Sequence, residues 1–182
     1  MNWARTVRFD GTIDDAQRQK ISASLPAGAS LKFGAAHAAA KRTYGLVQGQ
    51  ASLEPSEVEP AFSNARWYDE PIIALAIEPT PADALPAIKN ALAGAGGPSG
   101  ILDCTAVAGL VIVEFQPART LPSLILNLVD VELRRFHGYR RVTLLNPLPA
   151  ELTAQIAAAG LQAAEIAPGR ILETLLEQSS VE

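Results

Sequence analysis

The run Ile72-Ile73-Ala74-Leu75-Ala76-Ile77 is a continuous apolar stretch near the middle of the chain. Six consecutive apolar residues are typical of a central strand that is buried on both faces of a sheet. A helix is expected directly after it, because Thr80 is a favourable N-cap and Pro81 suits the first helical position. The apolar residues of this helix recur on one face, at Leu85, Ile88 and Leu92. The stretch therefore predicts a buried strand followed by an amphipathic helix.

Downstream of this helix the pattern continues as strand, strand, helix and strand. Residues 101–105 and 108–115 are strand-like, and the short connection between them predicts an antiparallel hairpin. The longest helix begins near Thr120 and ends at Gly138, and residues 141–145 form the next strand. From residue 72 to residue 145 the order βαββαβ is that of ferredoxin-like folds.

The first part of the chain has a looser version of the same order. Residues 6–9, 31–33 and 44–50 are strand-like, residues 14–24 and 54–65 are helical, with Pro60 interrupting the second helix, and 66–71 are a connector. Aligning Thr6 with Ile72 and Tyr44 with Ala108 gives a nearly constant offset. We therefore predict an α+β protein with a ferredoxin-like arrangement, duplicated in tandem. A further echo, strand then Pro-x-Pro then helix, recurs at residues 73–81 and 142–149; the alternative interpretation is that Pro simply favours helix starts after strands, without a duplication.

The predicted organisation divides the chain near residue 70. Residues 1–70 form a βαββα unit, and residues 71–182 form the βαββαβ unit with a C-terminal αβα extension, over 149–159, 161–166 and 170–178. A chain of 182 residues is long enough for two small units or for one compact domain. Both organisations stay open at this point.

The composition excludes several classes of protein. With 48% hydrophobic and 19% charged residues, the chain is too apolar for a disordered protein. Its one Cys and two His cannot complete a zinc site, so no metal and no cofactor is expected. A net charge of −4 argues against nucleic acid as a partner. No apolar run approaches the roughly 20 residues of a membrane span, and no secretory signal is recognisable, so we expect a cytoplasmic protein without membrane association.

The segment from Arg134 to Arg141 concentrates the functional-looking side chains. The guanidinium groups match phosphate and carboxylate geometry, and the aromatic rings can stack on a ligand. We take this segment as a candidate anion-binding site, with these members: Arg134, Arg135, His137, Tyr139, Arg140 and Arg141. The alternative is a helix C-terminus whose cations offset the helix dipole.

One polar helix face leads into this segment. Asn127, Asp130, Arg134 and His137 follow one another at spacings of three and four residues, which places them on the same side of a helix. If this face lined a pocket, His137 could act as a general acid or base on a bound anion. Otherwise Asp130 and Arg134 form an ordinary surface ion pair.

Three further features each have two interpretations. Cys104 is either a nucleophile activated by a neighbouring base or a small buried core thiol. His37, among alanines, lacks the partners that a metal site needs. The aromatic and acidic residues 67–70 form either a partner-binding edge or a loop that covers the core. The Gly-rich residues 94–100 follow a helix instead of opening one, so they indicate a turn and not a phosphate loop.

The sequence favours a non-catalytic binding or regulatory module that self-associates, for example as a homodimer. Two alternatives stay open, and both use the segment 134–141: a small enzyme acting on an anionic metabolite, and a nucleic-acid-binding protein. Topology cannot choose among them, since ferredoxin-like folds host many functions.

Overall fold

The computed structural model describes residues 2–34, 39–78, 101–107, 110–116, 141–152 and 154. Within these residues eight strands form two antiparallel sheets. The first sheet contains β1 (Trp3–Asp10), β2 (Ala29–Phe33), β3 (Arg42–Gly49) and β4 (Arg66–Trp67), in the order β2-β3-β1-β4. The second contains β5 (Ile73–Glu78), β6 (Ile101–Val107), β7 (Leu110–Phe115) and β8 (Arg141–Leu144), in the order β6-β7-β5-β8. The architecture is thus mixed α and β, with helices confined in this part of the chain to short segments.

The two sheets share one relative strand order. In each, the first and third strands are central, and the second and fourth flank them. The first and third strands pair antiparallel in both sheets: Val7 lies opposite Gly45 on β3, and Leu75 lies opposite Val113 on β7. The predicted hairpin is present, since β6 and β7 pair antiparallel around residues 108–109.

Capping residues and a proline set the bounds of the helices in the first part of the chain. Helix α1 (Asp15–Ala23) begins at a capping box, in which Asp14 and Gln17 each accept the other's backbone N–H at 2.7 and 2.9 Å. The predicted helix over 54–65 is split into α2 (Pro55–Val58) and a 3-10 turn (Glu59–Phe62). Pro60 lies at the split, because a proline ring cannot continue an α-helix past its first turn.

One face of the first sheet packs against these helices. Its centre consists of buried apolar side chains, namely Val7, Phe9, Val47, Val58 and Phe62. Aromatic rings add to it, with Phe9 and Phe62 at 6.1 Å and Phe62 and Trp67 at 5.6 Å between centroids. Alternation along β1 then directs Thr6 and Arg8 to the opposite face.

That opposite face packs against the second sheet. The shared core contains residues from both sheets, namely Ala40, Tyr44, Tyr68, Ile72, Ala74, Ala76, Leu110, Ile112 and Leu145. The backbones approach closely at Gly34, where a Cβ would collide with the carbonyl oxygen of Leu145. On β5, Ile73 and Ala74 point to opposite faces and both are buried, as the apolar run predicts.

Two expectations differ from the structure. The connector 66–71 contains a short strand, β4, which pairs with Val7 and Arg8 and closes the edge of the first sheet. A two-residue strand has no periodicity that a sequence pattern could reveal. Cys104 is half-buried instead of fully buried, because β6 lies at an edge of the second sheet.

Several predicted elements lie outside the described residues. These are the helices after β5 and before β8, and most of the C-terminal extension. Of that extension, residues 149–152 and 154 are described, and residues 150–152 and 154 are helical. In the described part of the chain, no helix has both the length and the apolar character that crossing a membrane requires.

Candidate functional site

The facing surfaces of the two sheets enclose a carboxylate, Glu114 on β7, whose side chain is 0% exposed. Its Oε1 atom accepts hydrogen bonds from Arg8 Nη1 at 2.7 Å, Arg42 Nη1 at 3.1 Å and the Tyr44 hydroxyl at 2.6 Å. Its Oε2 atom accepts another from the hydroxyl of Tyr68, which follows β4. A buried carboxylate is strongly unfavourable unless it is paired and hydrogen-bonded. Here all of these donors come from the first part of the chain.

A second carboxylate, Asp103 on β6, lies beside the first. Its Oδ2 atom accepts from Arg42 Nη1 at 3.0 Å, and its Oδ1 atom accepts from the Thr105 hydroxyl at 2.9 Å. The Asp103 side chain is 24% exposed and those of Arg8 and Arg42 are 11% and 13% exposed, so the cluster reaches solvent on this side. We call these residues the interface cluster: Arg8, Arg42, Tyr44, Tyr68, Asp103 and Glu114.

Burial and neighbouring charges shift the pKa values of four residues of the interface cluster, Arg8, Tyr44, Tyr68 and Asp103, further from neutral pH. Burial, to which the Glu114 carboxylate adds, raises the pKa of Tyr44 and Tyr68 well above the ordinary tyrosine value. Burial opposes the charge of Arg8, but the hydrogen bond and the charge of Glu114 outweigh it and raise the pKa of Arg8. Burial also opposes ionised Asp103, yet a neighbouring hydroxyl and the two arginines lower its pKa. The tyrosines and arginines are therefore donors at neutral pH, and Asp103 is an acceptor.

The lowered pKa of Asp103 predicts a pH-dependent contribution to stability. A carboxylate with a lowered pKa stabilises the fold above its unfolded-state value, ordinarily 3.8, and this contribution is lost as pH falls through the lower folded-state value. We expect Asp103→Asn to be less stable than the parent at neutral pH, and the difference to shrink on acidification. Urea unfolding from about pH 6 to about pH 2.5 measures this. A difference that stays constant over this range would contradict the assignment.

Asn146, which follows β8, fixes the start of β5 within the second sheet. Its side chain is buried and accepts the Ala74 N–H at 2.8 Å, while its Nδ2 atom donates to the Ile72 carbonyl at 2.6 Å. The Ile72 N–H in turn donates to the Thr6 hydroxyl at 3.0 Å. The backbone at Ile72 and Ala74 is thus held by the side chains of Thr6 and Asn146, because buried backbone groups need hydrogen-bond partners.

Asn146→Ala removes both partners from buried backbone groups. We expect a loss of about 1–3 kcal/mol in the free energy of unfolding, the cost of leaving a buried polar group unpaired. Asn64→Ala is the matched control, because Asn64 is exposed, and it should change the free energy by no more than about 0.5 kcal/mol. Equal effects of the two substitutions in urea unfolding would show that Asn146 has no special role.

The first sheet also borders a groove. It lies on the face that packs against the second sheet, at the end of that face opposite to the interface cluster. Its volume is about 520 Å³. Its floor is formed by the first residues of β1 and β2 and the last of β3, and its wall by residues 149–151. We call it the seam groove; its lining residues are Asn2, Trp3, Ala4, Gly28, Ala29, Ser30, Gln48, Gly49, Gln50, Pro149, Ala150 and Glu151.

The candidate site predicted from the sequence falls almost entirely outside the described residues. This holds for Asn127, Asp130, Arg134, Arg135, His137, Tyr139 and Arg140. Only the backbone of Arg141 is described, at the start of β8 opposite Glu78. His37 and the Gly-rich residues 94–100 also lie outside the described part. The anion-binding prediction for these residues stays a prediction.

The aromatic residues 67–68 cover the core rather than forming an exposed edge. Tyr68 is buried with its hydroxyl on Glu114, and Trp67 packs against the helix-side core. Arg66 lies over the Tyr68 ring at 4.9 Å from its centroid. A buried tyrosine hydroxyl requires a polar partner, and for Tyr68 this partner is the Glu114 carboxylate.

The interface cluster itself was not predicted from the sequence. The signal was Glu114, the one charged residue in the apolar run Leu110–Phe115, because a carboxylate inside a buried strand requires cationic or hydrogen-bonding partners. Those partners could not be named, since Tyr44 and Arg8 are 70 and 106 residues away along the chain.

No protein-family model matches the chain, and no curated protein matches its sequence. In the part of the chain that the structure describes, no group of three His, Cys, Asp or Glu side chains could hold a metal ion. The functional conclusion therefore depends on the interface cluster and the seam groove.

Proposed function

We propose that the protein is a non-catalytic binding or regulatory module built from two ferredoxin-like units, related by duplication, that pack sheet against sheet. The shared strand order supports the duplication, since each sheet keeps its first and third strands central. The first strand also pairs antiparallel with the third in both sheets, as this arrangement requires.

The observation that carries the proposal is that both carboxylate oxygens of Glu114 accept hydrogen bonds from within the protein. Its carboxylate accepts hydrogen bonds from two arginines and two tyrosines of the first unit. A general acid or base must exchange a proton with a substrate within hydrogen-bond reach. These donors instead face the carboxylate between the sheets, and the pKa values of the tyrosines lie far above neutral pH. The interface cluster is therefore a joint between the units.

Because the polar groups of the interface cluster bind one another, we assign ligand binding to a solvent-facing surface. The seam groove, at about 520 Å³, lies within the range of about 300–1,000 Å³ that small-molecule sites occupy. Binding there would contact both units, so a ligand would favour their packed arrangement. This coupling is the physical basis for a regulatory role.

A thermal-shift screen followed by recovery of the ligand tests the proposal. The compounds are nucleotides, sugar phosphates, organic acids, neutral sugars and amines. A ligand at a hundredfold excess over its Kd stabilises the protein by about 2.7 kcal/mol. We expect a compound that raises Tm and is recovered unchanged by mass spectrometry. Turnover of that compound would contradict the non-catalytic assignment, and light scattering on the same sample tests the homodimer.

A further inference from the structure

We infer that the seam groove binds a neutral polyhydroxylated ligand of the size of a monosaccharide. The inference deepens the proposed binding function and rests on it. It starts from where the groove lies: on the inner face of the first sheet, at the end opposite the interface cluster. Along β3 this face runs from Arg42 through Tyr44 and Leu46 to Gln48. Tyr44 and Leu46 are buried, whereas Gln48 is exposed, so the packed interface opens into the groove at Gln48.

The space in the groove results from small residues. Gln48 lies between Ala4 on β1 and Ser30 on β2, which are its direct partners in the register. In the next row Gly49 lies between Trp3 and Ala29, and a Cβ on Gly49 would collide with the Trp3 ring. The Trp3 Nε1 atom donates to the Leu53 carbonyl at 2.5 Å, and the ring packs against the helix-side core, on the face of the sheet opposite to Gln48.

The polar groups of the groove define the ligand class. Its described lining contains three primary amides, one hydroxyl and one carboxylate, on Asn2, Gln48, Gln50, Ser30 and Glu151. Each amide offers both donors and an acceptor, which is the pattern that complements hydroxyl groups, themselves both donors and acceptors. All five residues are exposed, so they are available to a ligand.

The charge of the groove disfavours the alternatives. The described lining includes no Lys, Arg or His, so an anion would find no counter-charge there and would be repelled by Glu151. A cation would gain only the single exposed carboxylate, and exposed ion pairs contribute about 0–1 kcal/mol. Neutral hydroxyl groups match the lining best.

Titration of the full chain with glucose, galactose, ribose and myo-inositol, followed by ligand-observed NMR, tests the inference. Glucose 6-phosphate and spermidine are the anionic and cationic comparisons. We expect saturable binding of at least one neutral compound, and about tenfold weaker binding to Gln48→Leu, as expected when about 1.4 kcal/mol of hydrogen bonding is lost. Gln19→Leu is the matched control, because Gln19 is exposed on α1 and does not line the groove; its affinity should equal that of the parent.

The outcomes separate the inference from the proposed function. Binding of a neutral compound that Gln48→Leu leaves unchanged would overturn the groove as its site. Binding of only the phosphate or the amine, or of no compound in this set, would overturn the ligand class. In these cases a binder of another class, recovered unchanged, would leave the proposed function standing. Turnover of a neutral sugar that Gln48→Leu weakens would support the site while contradicting the non-catalytic function.

Discussion

Replacing Glu114 by Gln should lower the free energy of unfolding by about 3–5 kcal/mol, the loss expected when one partner of a buried ion pair is removed. The amide has nearly the same shape as the carboxylate, so packing changes little and the effect reflects the lost charge and the lost acceptor oxygen. Arg8 and Arg42 would lose the acceptor that they share at 2.7 and 3.1 Å. One amide oxygen cannot satisfy both arginines and both tyrosine hydroxyls, and the amide hydrogens face further donors.

Denaturant unfolding of Glu114→Gln measures this effect. Glu59→Gln is the matched control, because Glu59 is exposed on the 3-10 turn of the first unit and its loss should cost no more than about 0.5 kcal/mol. A Glu114→Gln protein as stable as the control would show that the carboxylate is not engaged as described. If the variant does not fold, Tyr68→Phe gives a milder test, with an expected loss of about 1.5–3 kcal/mol for one hydrogen bond to a charged group.

Replacing Arg8 by Met should cost about 2–4 kcal/mol, less than the Glu114 substitution. Methionine keeps much of the apolar stem of arginine and removes the guanidinium. Glu114 then retains Arg42 and both tyrosines as donors, whereas Glu114→Gln leaves two cations without their shared carboxylate. The order of the two effects follows from this asymmetry.

Lys32→Met is the matched control for Arg8→Met. Lys32 lies opposite Leu46 in the register, but its own side chain is exposed on the edge strand β2. Its replacement should change the free energy of unfolding by no more than about 0.5 kcal/mol. Equal losses for Arg8→Met and Lys32→Met would contradict a specific role of the buried guanidinium.

The sequence predicts much of the strand framework because its apolar residues are patterned. The run 72–77 supplies five of the six residues of β5, and the two runs after residue 100 form the antiparallel pair β6–β7. Pro60 divides the helix that it interrupts. These features are local, so a single stretch of sequence contains the information that determines them.

The interface cluster could not be assembled from the sequence, because its members come from five separate segments of the chain. In the sequence Arg8 is an ordinary charged residue of a predicted strand, and Arg42 precedes the predicted strand 44–50. The burial of both depends on the second sheet that covers them. The arginines that stand together in the sequence lie at 134–141, whereas the side chains that the structure brings together are scattered along the chain. Long-range packing, which no local pattern encodes, determines where the buried charges meet.

The central claim is that Glu114 and Arg8 hold the two sheets together as a direct pair, and a double-mutant cycle tests it most directly. The free energies of unfolding of the parent, Arg8→Met, Glu114→Gln and the double variant are compared by urea denaturation. We expect a coupling of about 1–3 kcal/mol, with the double variant more stable than the sum of the single losses implies. Losses that add within about 0.3 kcal/mol would show that the two side chains do not interact, and would contradict the account.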